Sequence, residues 1–231
     1  MQILQLKLLT HHLPDLRRFY LDILGLPLVE ESADSITLAA GTTRLTFTTI
    51  RDGSEPWYHF AFNIPENQLA EAKVWISERT SLLADAHGDE FWSKHWNAHN
   101  IYFSDPVGNI GEFIARHDLD NASHAPFGPE SMLEVSEMGL VVEDVPSFVG
   151  DLGRELGIEP HRGTSDDFTA VGDDQGMLIV VRRGRGWFPI NKPAVPHPAK
   201  VVYSGPAGAE YSPEGVPYHV AAVAPTWDDK R

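Results

Sequence analysis

The chain has no cysteine among its 231 residues. Disulfides, thiolate metal sites and cysteine nucleophiles are thereby excluded, and any metal centre must be built from His, Asp, Glu, Asn, Gln or Tyr. Positive charge is scarce as well. There are 18 Lys and Arg against 33 Asp and Glu, a formal net charge of -15. This balance argues against nucleic acid or an anionic membrane as partner and says nothing about fold. No apolar run approaches the length of a membrane-spanning helix. The N-terminal MQILQLKLL lacks the basic segment, long apolar core and small-residue cleavage site of a secretion signal, so a cytosolic address is expected.

What is present centres on Asn97 to Arg116, NAHNIYFSDPVGNIGEFIAR. Strand-like residues run from Asn97 to Ser104 and from Ile110 to Ala115, and Asp105-Pro106-Val107-Gly108-Asn109 supplies turn chemistry between them. A period of two places Ile110, Glu112 and Ile114 on one face. A carboxylate between two isoleucines needs an explanation, because a buried Glu must be paired or bound. The residues leave two readings, a bound carboxylate or a solvated edge. If the turn spans the five residues from Asp105, Tyr102 lies opposite Glu112, with Asn100 and Ser104 on the same face.

The remaining chain repeats one order of elements. Residues 2–9 alternate, with Leu4, Leu6 and Leu8 on one face and Ile3, Gln5 and Lys7 on the other. A helix is expected over Leu13–Leu24, with Pro14 in its first turn, an apolar stripe of Leu16, Phe19, Tyr20, Ile23 and Leu24, and Gly25 as its stop. Three short strands follow, near Pro27–Glu31, Ser35–Ala39 and Arg44–Thr49. The order begins again at Trp57. A strand to Ile64 carries Tyr58, Phe60, Phe62 and Ile64 on one face and Trp57, His59, Ala61 and Asn63 on the other. A helix follows Pro65, residues 80–95 are poorly patterned, and the hairpin closes this second unit.

Residues 118–131 read as a linker rich in Asp, Ser, Pro and Gly. A third unit then has a strand over Leu133–Val142, a helix over Pro146–Leu156 and strands near Phe168–Val171 and Met177–Val181. A shift of 132 residues lays Pro14 on Pro146, Leu24-Gly25-Leu26 on Leu156-Gly157-Ile158, and Gln5 on Glu137, as an internal repeat requires. In the tail, strands are expected near Lys200–Ser204 and Tyr218–Val223. Pro217-Tyr218-His219-Val220-Ala221 echoes Trp57-Tyr58-His59-Phe60-Ala61, which reads as a fourth unit reduced to its first strand. Arg182-Arg183-Gly184-Arg185 reads as a solvated basic loop, and Trp187-Phe188 as packing.

Repeated strand-helix-three-strand units, Phe19-Tyr20 followed by Leu24-Gly25-Leu26, and the hairpin motif Asp105-Pro106-x-Gly108-Asn109-x-x-Glu112-Phe113 together resemble the vicinal oxygen chelate superfamily. That superfamily includes glyoxalase I, extradiol dioxygenases, fosfomycin-resistance thiol transferases and bleomycin-resistance proteins. The resemblance implies an α+β fold of βαβββ units, whose curled mixed sheets surround a cavity with helices outside. It implies paired units at 1–117, a linker at 118–131, and a third unit with a truncated fourth at 132–231.

It further implies a divalent metal (Fe, Mn, Zn, Ni or Co) held by Gln5, His59 and Glu112, since metal ligands in the family come from the first strand of each paired unit and the last strand of the second. The glyoxalase fourth ligand would fall near Thr46, a poor donor. The metal would polarise adjacent oxygens of a small-molecule substrate, and Tyr102 would orient a ligand or donate to substrate. Gln5 in place of a histidine makes extradiol chemistry less expected. Isomerase, lyase, dioxygenase and thiol transferase activities are all compatible, as is a metal-free binding or resistance protein of the same fold. Glu137 and His219, at positions equivalent to Gln5 and His59, could mark a second site, and the functional part could then be the C-terminal unit pair. A monomer or homodimer is expected, with no nucleic-acid or membrane partner.

Overall fold

The structure is a computed structural model and describes residues 1–224. Residues 225–231 of the expected C-terminal unit lie outside it.

In chain order, β1 is Ile3–Thr10, α1 is Leu13–Arg17, and β2, β3 and β4 are Leu28–Glu31, Ser35–Ala40 and Thr43–Thr49. β5 is His59–Ile64 and α2 is Leu69–Ser77. The two short strands β6 and β7 are Leu82–Leu83 and Phe91–Ser93, and the hairpin strands β8 and β9 are Ala98–Ser104 and Ile110–Arg116. β10 is Glu134–Val142, α3 is Val145–Leu156, and β11 and β12 are Phe168–Asp173 and Gly176–Arg182. The tail holds β13 (Gly186–Trp187), β14 (Lys192–Pro193), β15 (Ala199–Ser204), β16 (Glu210–Tyr211) and β17 (Tyr218–Val223). Among the described residues, no helix is long and apolar enough to cross a membrane.

The first helix is α-helical only to Arg17 and continues to Ile23 as a π-helix. Its stripe still buries Leu16, Phe19, Tyr20 and Leu24 against Leu6, Leu8 and Phe47. Gly25 ends it at a φ of +73°, a conformation that suits glycine. α3 has a cleaner start, where the Asp144 side chain accepts from the Ser147 amide at 3.0 Å. The segment 118–131 is irregular and is tied to the α2 end of unit two. Asn121 accepts from the Glu66 amide at 2.9 Å, and the Gln68 side chain donates to the Ala125 carbonyl at 2.6 Å.

The four units pair differently from the division expected at 118–131. One sheet runs β16-β17-β15-β1-β4-β3-β2, and the other β11-β12-β10-β5-β9-β8-β6. The first unit thus shares a sheet with the tail, and the second with the third. In each sheet two first strands lie antiparallel at the centre, β1 with β15 and β5 with β10. Each is parallel to the last strand of its own unit, as β4 to β1, β9 to β5, β12 to β10 and β17 to β15. This pattern also corrects the reading of the tail. Ala199–Ser204 is the first strand of the fourth unit and Tyr218–Val223 is its last, so His219 is not the counterpart of His59. One face of each sheet joins a shared core with the helices. The opposite face of the second sheet carries His59, Glu112 and Glu137.

Candidate metal and substrate site

The hairpin motif positions the site through its turn. The Asp105 carboxylate accepts from the amides of Val107 at 3.1 Å and Asn109 at 2.9 Å, from the Asn109 side chain at 2.7 Å, and from the Tyr20 hydroxyl at 2.9 Å. Asn109 Oδ1 in turn accepts the Tyr58 amide at 2.7 Å, beside His59. The turn therefore locks β9 to β5 as well as to β8. Burial raises Asp105 to about 6 despite these four donors. The expected register holds, with Tyr102 opposite Glu112 and Asn100 opposite Ile114.

His59, Glu112 and Glu137 are all buried, and each presents a ligand atom within 4.8 Å of the others. In register, Glu112 and Glu137 flank Ala61 on its two sides. His59 Nδ1 lies 3.2 Å from the Ile110 carbonyl, so that nitrogen carries the proton. The lone pair of Nε2 is left facing Glu112 Oε2 at 3.5 Å. Burial lowers His59 to about 4, which keeps the imidazole neutral. Burial and the neighbouring Glu137 charge push Glu112 up to about 8. The Tyr102 phenol is also raised, by burial and by both carboxylates, and stays a hydrogen-bond donor.

Two further side chains complete the wall. Asn100 donates to Glu112 Oε1, while its own Oδ1 is buried without a partner. Arg116, at the end of β9, is fully buried. It pairs with Glu137 and donates to Asn63 Oδ1 at 3.2 Å and Asp174 Oδ1 at 3.4 Å. The site opens into a cavity of about 120 Å³ with Phe168, Ile179, Trp187 and Phe188 among its apolar lining. The Trp187 ring packs on His59 at 4.7 Å between centroids. Arg185 also lines the cavity, half buried, over the Phe168 ring at 5.1 Å.

The donor set fits a divalent cation. It offers a neutral imidazole nitrogen and two carboxyl groups in a buried wall, of which Glu112 is held protonated at neutral pH by burial and by the Glu137 charge. The unpartnered Asn100 oxygen adds an acceptor on the same wall.

No protein-family model and no curated protein sequence matches the chain. Solved structures do. A putative dioxygenase from Bacillus subtilis subsp. subtilis str. 168 matches with a TM-score of 0.64 at 15% identity, over 96% of this chain and 85% of that one. Glyoxalase I from Zea mays matches with a TM-score of 0.58 at 13% identity, over 96% and 92%. A mutant form of that enzyme gives 0.60 at 14%, over 96% and 93%. The fold is that of the vicinal oxygen chelate superfamily.

Within this vicinal oxygen chelate fold, the structure brings together His59, Glu112 and Tyr102 and leaves Gln5 out. Gln5 sits on β1, between Arg44 and Val202 in the other sheet. Glu137 stands where Gln5 was expected, because β10 and not β1 is the antiparallel neighbour of β5. The repeat offset of 132 residues places Glu137 and Gln5 at one position of the unit. Thr46 is likewise in the other sheet, sharing a 2.9 Å hydrogen bond with Thr37.

The sequence assigned Arg116 no role, although an arginine ending a buried apolar strand was the available signal; Asn100 was expected on the Glu112 face, and there it donates to Glu112 Oε1. The basic run divides in two. Arg182 and Arg183 pair with Asp167 and Glu143 at the surface, and Arg185 turns to the cavity. Of the other histidines, His99 contacts His117 at 2.8 Å and His95 contacts the Arg162 carbonyl at 2.6 Å, both outside the cavity lining.

Proposed function

We propose that this protein is a divalent-metal-dependent enzyme acting on a small molecule with adjacent oxygens, with His59, Glu112 and Glu137 as the metal ligands. The observation that supports this reading is the convergence of three buried ligand atoms within 4.8 Å. A divalent cation bound there would act as a Lewis acid toward two neighbouring substrate oxygens.

The residues around it have defined tasks. The Ile110 carbonyl fixes the His59 tautomer, so that Nε2 is the ligating atom. Arg116 holds one oxygen of Glu137 and leaves the other for the cavity. Tyr102, kept neutral by its surroundings, would donate a hydrogen bond to a developing oxyanion. Trp187 and Phe188 exclude water from the wall they cover. Arg185 puts a guanidinium in the cavity lining, which favours a substrate with an anionic group. Desolvation lowers its pKa, and pairing with an anion would relieve that cost.

One observation favours a second reading, a metal-free binder of the same fold. The Arg116 guanidinium already supplies Glu137 with a counter-charge, and a protonated Glu112 could sit beside it without a cation.

Metal content separates the two. Purified protein, reconstituted with each of Fe, Mn, Zn, Ni and Co and then gel filtered, should retain about one ion per chain. His59→Ala, Glu112→Gln and Glu137→Gln should each lose it, and Gln5→Ala should keep it. Absence of metal from wild-type protein under all five ions would sink the enzyme reading and leave the binder. Loss of metal in Gln5→Ala would show that the ligand set is drawn wrongly.

A further inference from the structure

The two sheets are built alike, and register identifies which residues occupy equivalent places. Across the second sheet, Glu112, Ala61, Glu137 and Met177 stand side by side on β9, β5, β10 and β12. Across the first sheet the same row reads Thr46, Lys7, Lys200 and His219 on β4, β1, β15 and β17. Both carboxylate positions of the metal site are lost. In their place are a threonine and a lysine, with a second lysine where alanine stood. The row has changed the sign of its charge.

We infer that this face of the first sheet is a separate binding site for a small organic anion with an apolar body, such as a carboxylate on an aliphatic or aromatic group. Lys7 and Lys200 are direct cross-strand neighbours on one face, an arrangement that costs stability through like-charge repulsion. They sit in a chain with almost twice as many acidic as basic residues. The ion pairs among the described residues use Lys73 and not Lys7 or Lys200. An anion bridging the two ammonium groups would satisfy both, with charge-assisted hydrogen bonds.

The surroundings suit the rest of such a ligand. Lys7, Lys200 and His219 line a cavity of about 480 Å³, and Leu9, Pro213 and Val216 give it an apolar side. His219 Nδ1 is held by the Ser212 hydroxyl at 2.7 Å, which orients the ring in the wall. Neither carboxylate of the metal site has a counterpart in the row, so the site would take the anion without a metal.

This inference is independent of the enzymatic reading. It is tested on the full-length protein with three probes: octanoate, its uncharged analogue octanamide, and inorganic phosphate. Binding is followed by calorimetry and by amide shifts in nuclear magnetic resonance. Octanoate should bind one per chain and shift the amides of Lys7, Lys200 and His219, with octanamide weaker by about tenfold or more. Lys7→Gln with Lys200→Gln should weaken octanoate by a similar factor while leaving the fold and metal uptake at His59 intact. Phosphate binding more weakly than octanoate would support the apolar wall. Equal binding of octanoate and octanamide, octanoate binding unchanged in the double variant, phosphate binding as tightly as octanoate, or shifts confined to residues near Arg185 would each overturn the proposal.

Discussion

With Glu112 as the proposed ligand, a metal would compete with the proton that this carboxyl holds. Burial and the Glu137 charge hold this carboxyl at about 8, against an ordinary 4.5. At pH 7 roughly nine chains in ten therefore carry the proton, and a cation that needs the carboxylate must displace it. The apparent affinity for metal should rise about tenfold from pH 6 to 7, by a smaller factor from 7 to 8, and level off above about 8. Between pH 6 and the plateau the gain is roughly a hundredfold, or about 3 kcal/mol. His59 adds nothing to this slope, because its own value, about 4, leaves it neutral throughout. Uptake at pH 7 should release roughly 0.9 proton per ion. The assay is calorimetric titration with Zn2+ in two buffers of unlike ionisation enthalpy, at pH 6, 7, 8 and 8.5, with a competing chelator of known affinity. Affinity that stays flat from pH 6 to 8, with no proton released, would refute the assignment of Glu112 as a buried ligand that is protonated before metal arrives.

Three other outcomes follow from the same geometry. Glu112→Gln should make the metal-free protein more stable at pH 8: the folded chain holds a proton that the unfolded chain has lost between about 4.5 and 8, so wild-type stability falls across that window. A gain on the order of 4 kcal/mol, read as a higher urea midpoint at pH 8 and none at pH 4, is expected, and a loss at pH 8 would contradict it. Gly139→Ala should dislodge Trp187 from His59, since a Cβ there would come 2.7 Å from the indole ring. The cost is about 1–3 kcal/mol, with a shift in tryptophan emission, and unchanged emission would show that the contact is slack. Asp105→Ala would strip the partner from the Tyr20 hydroxyl and from three donors of the turn; about 3–5 kcal/mol of stability should be lost by chemical denaturation, and a loss below about 1 kcal/mol would remove the turn from its locking role.

The local structure was legible in the sequence because each element carries its own pattern. The alternation at Tyr58, Phe60 and Phe62 marks one face for the core, and His59 on the other face follows from the period alone. The five-residue turn fixed Tyr102 opposite Glu112, since hairpin register depends on the turn and the two strands beside it. The site set depends on something else, namely which first strand lies beside β5. β1, β10 and β15 each put apolar residues into the shared core and each pair antiparallel with another first strand, so their own patterns do not say which partner each takes. Gln5 and Glu137 are thus equivalent by position and are separated only by tertiary choice. His219 was misplaced for a related reason. Tyr218-His219 repeats the letters of a first strand, and the parallel pairing with β15 shows it to be a last one.

The pairing actually found explains how one chain can hold two faces of opposite character. A site drawn from units one and two, as expected from the sequence, would have required Gln5, His59 and Glu112 to be kept together, with the third and fourth units free to diverge. With the second unit joined to the third, the candidate ligand set is confined to β5, β9 and β10, and every residue of it lies in the middle of the chain. β1, β4, β15 and β17 then carry none of these ligands. They still hold the fold, because their opposite faces supply Leu6, Phe47, Val201 and Val220 to the shared core. The inward pattern of the first sheet is therefore constrained by packing and its outward row is not, which is where Lys7 and Lys200 stand. In the second sheet both faces are constrained. There the outward face buries two carboxylates, one of them paired with Arg116, at a cost that the core and the Asp105 turn help to offset and that a bound ion would offset further.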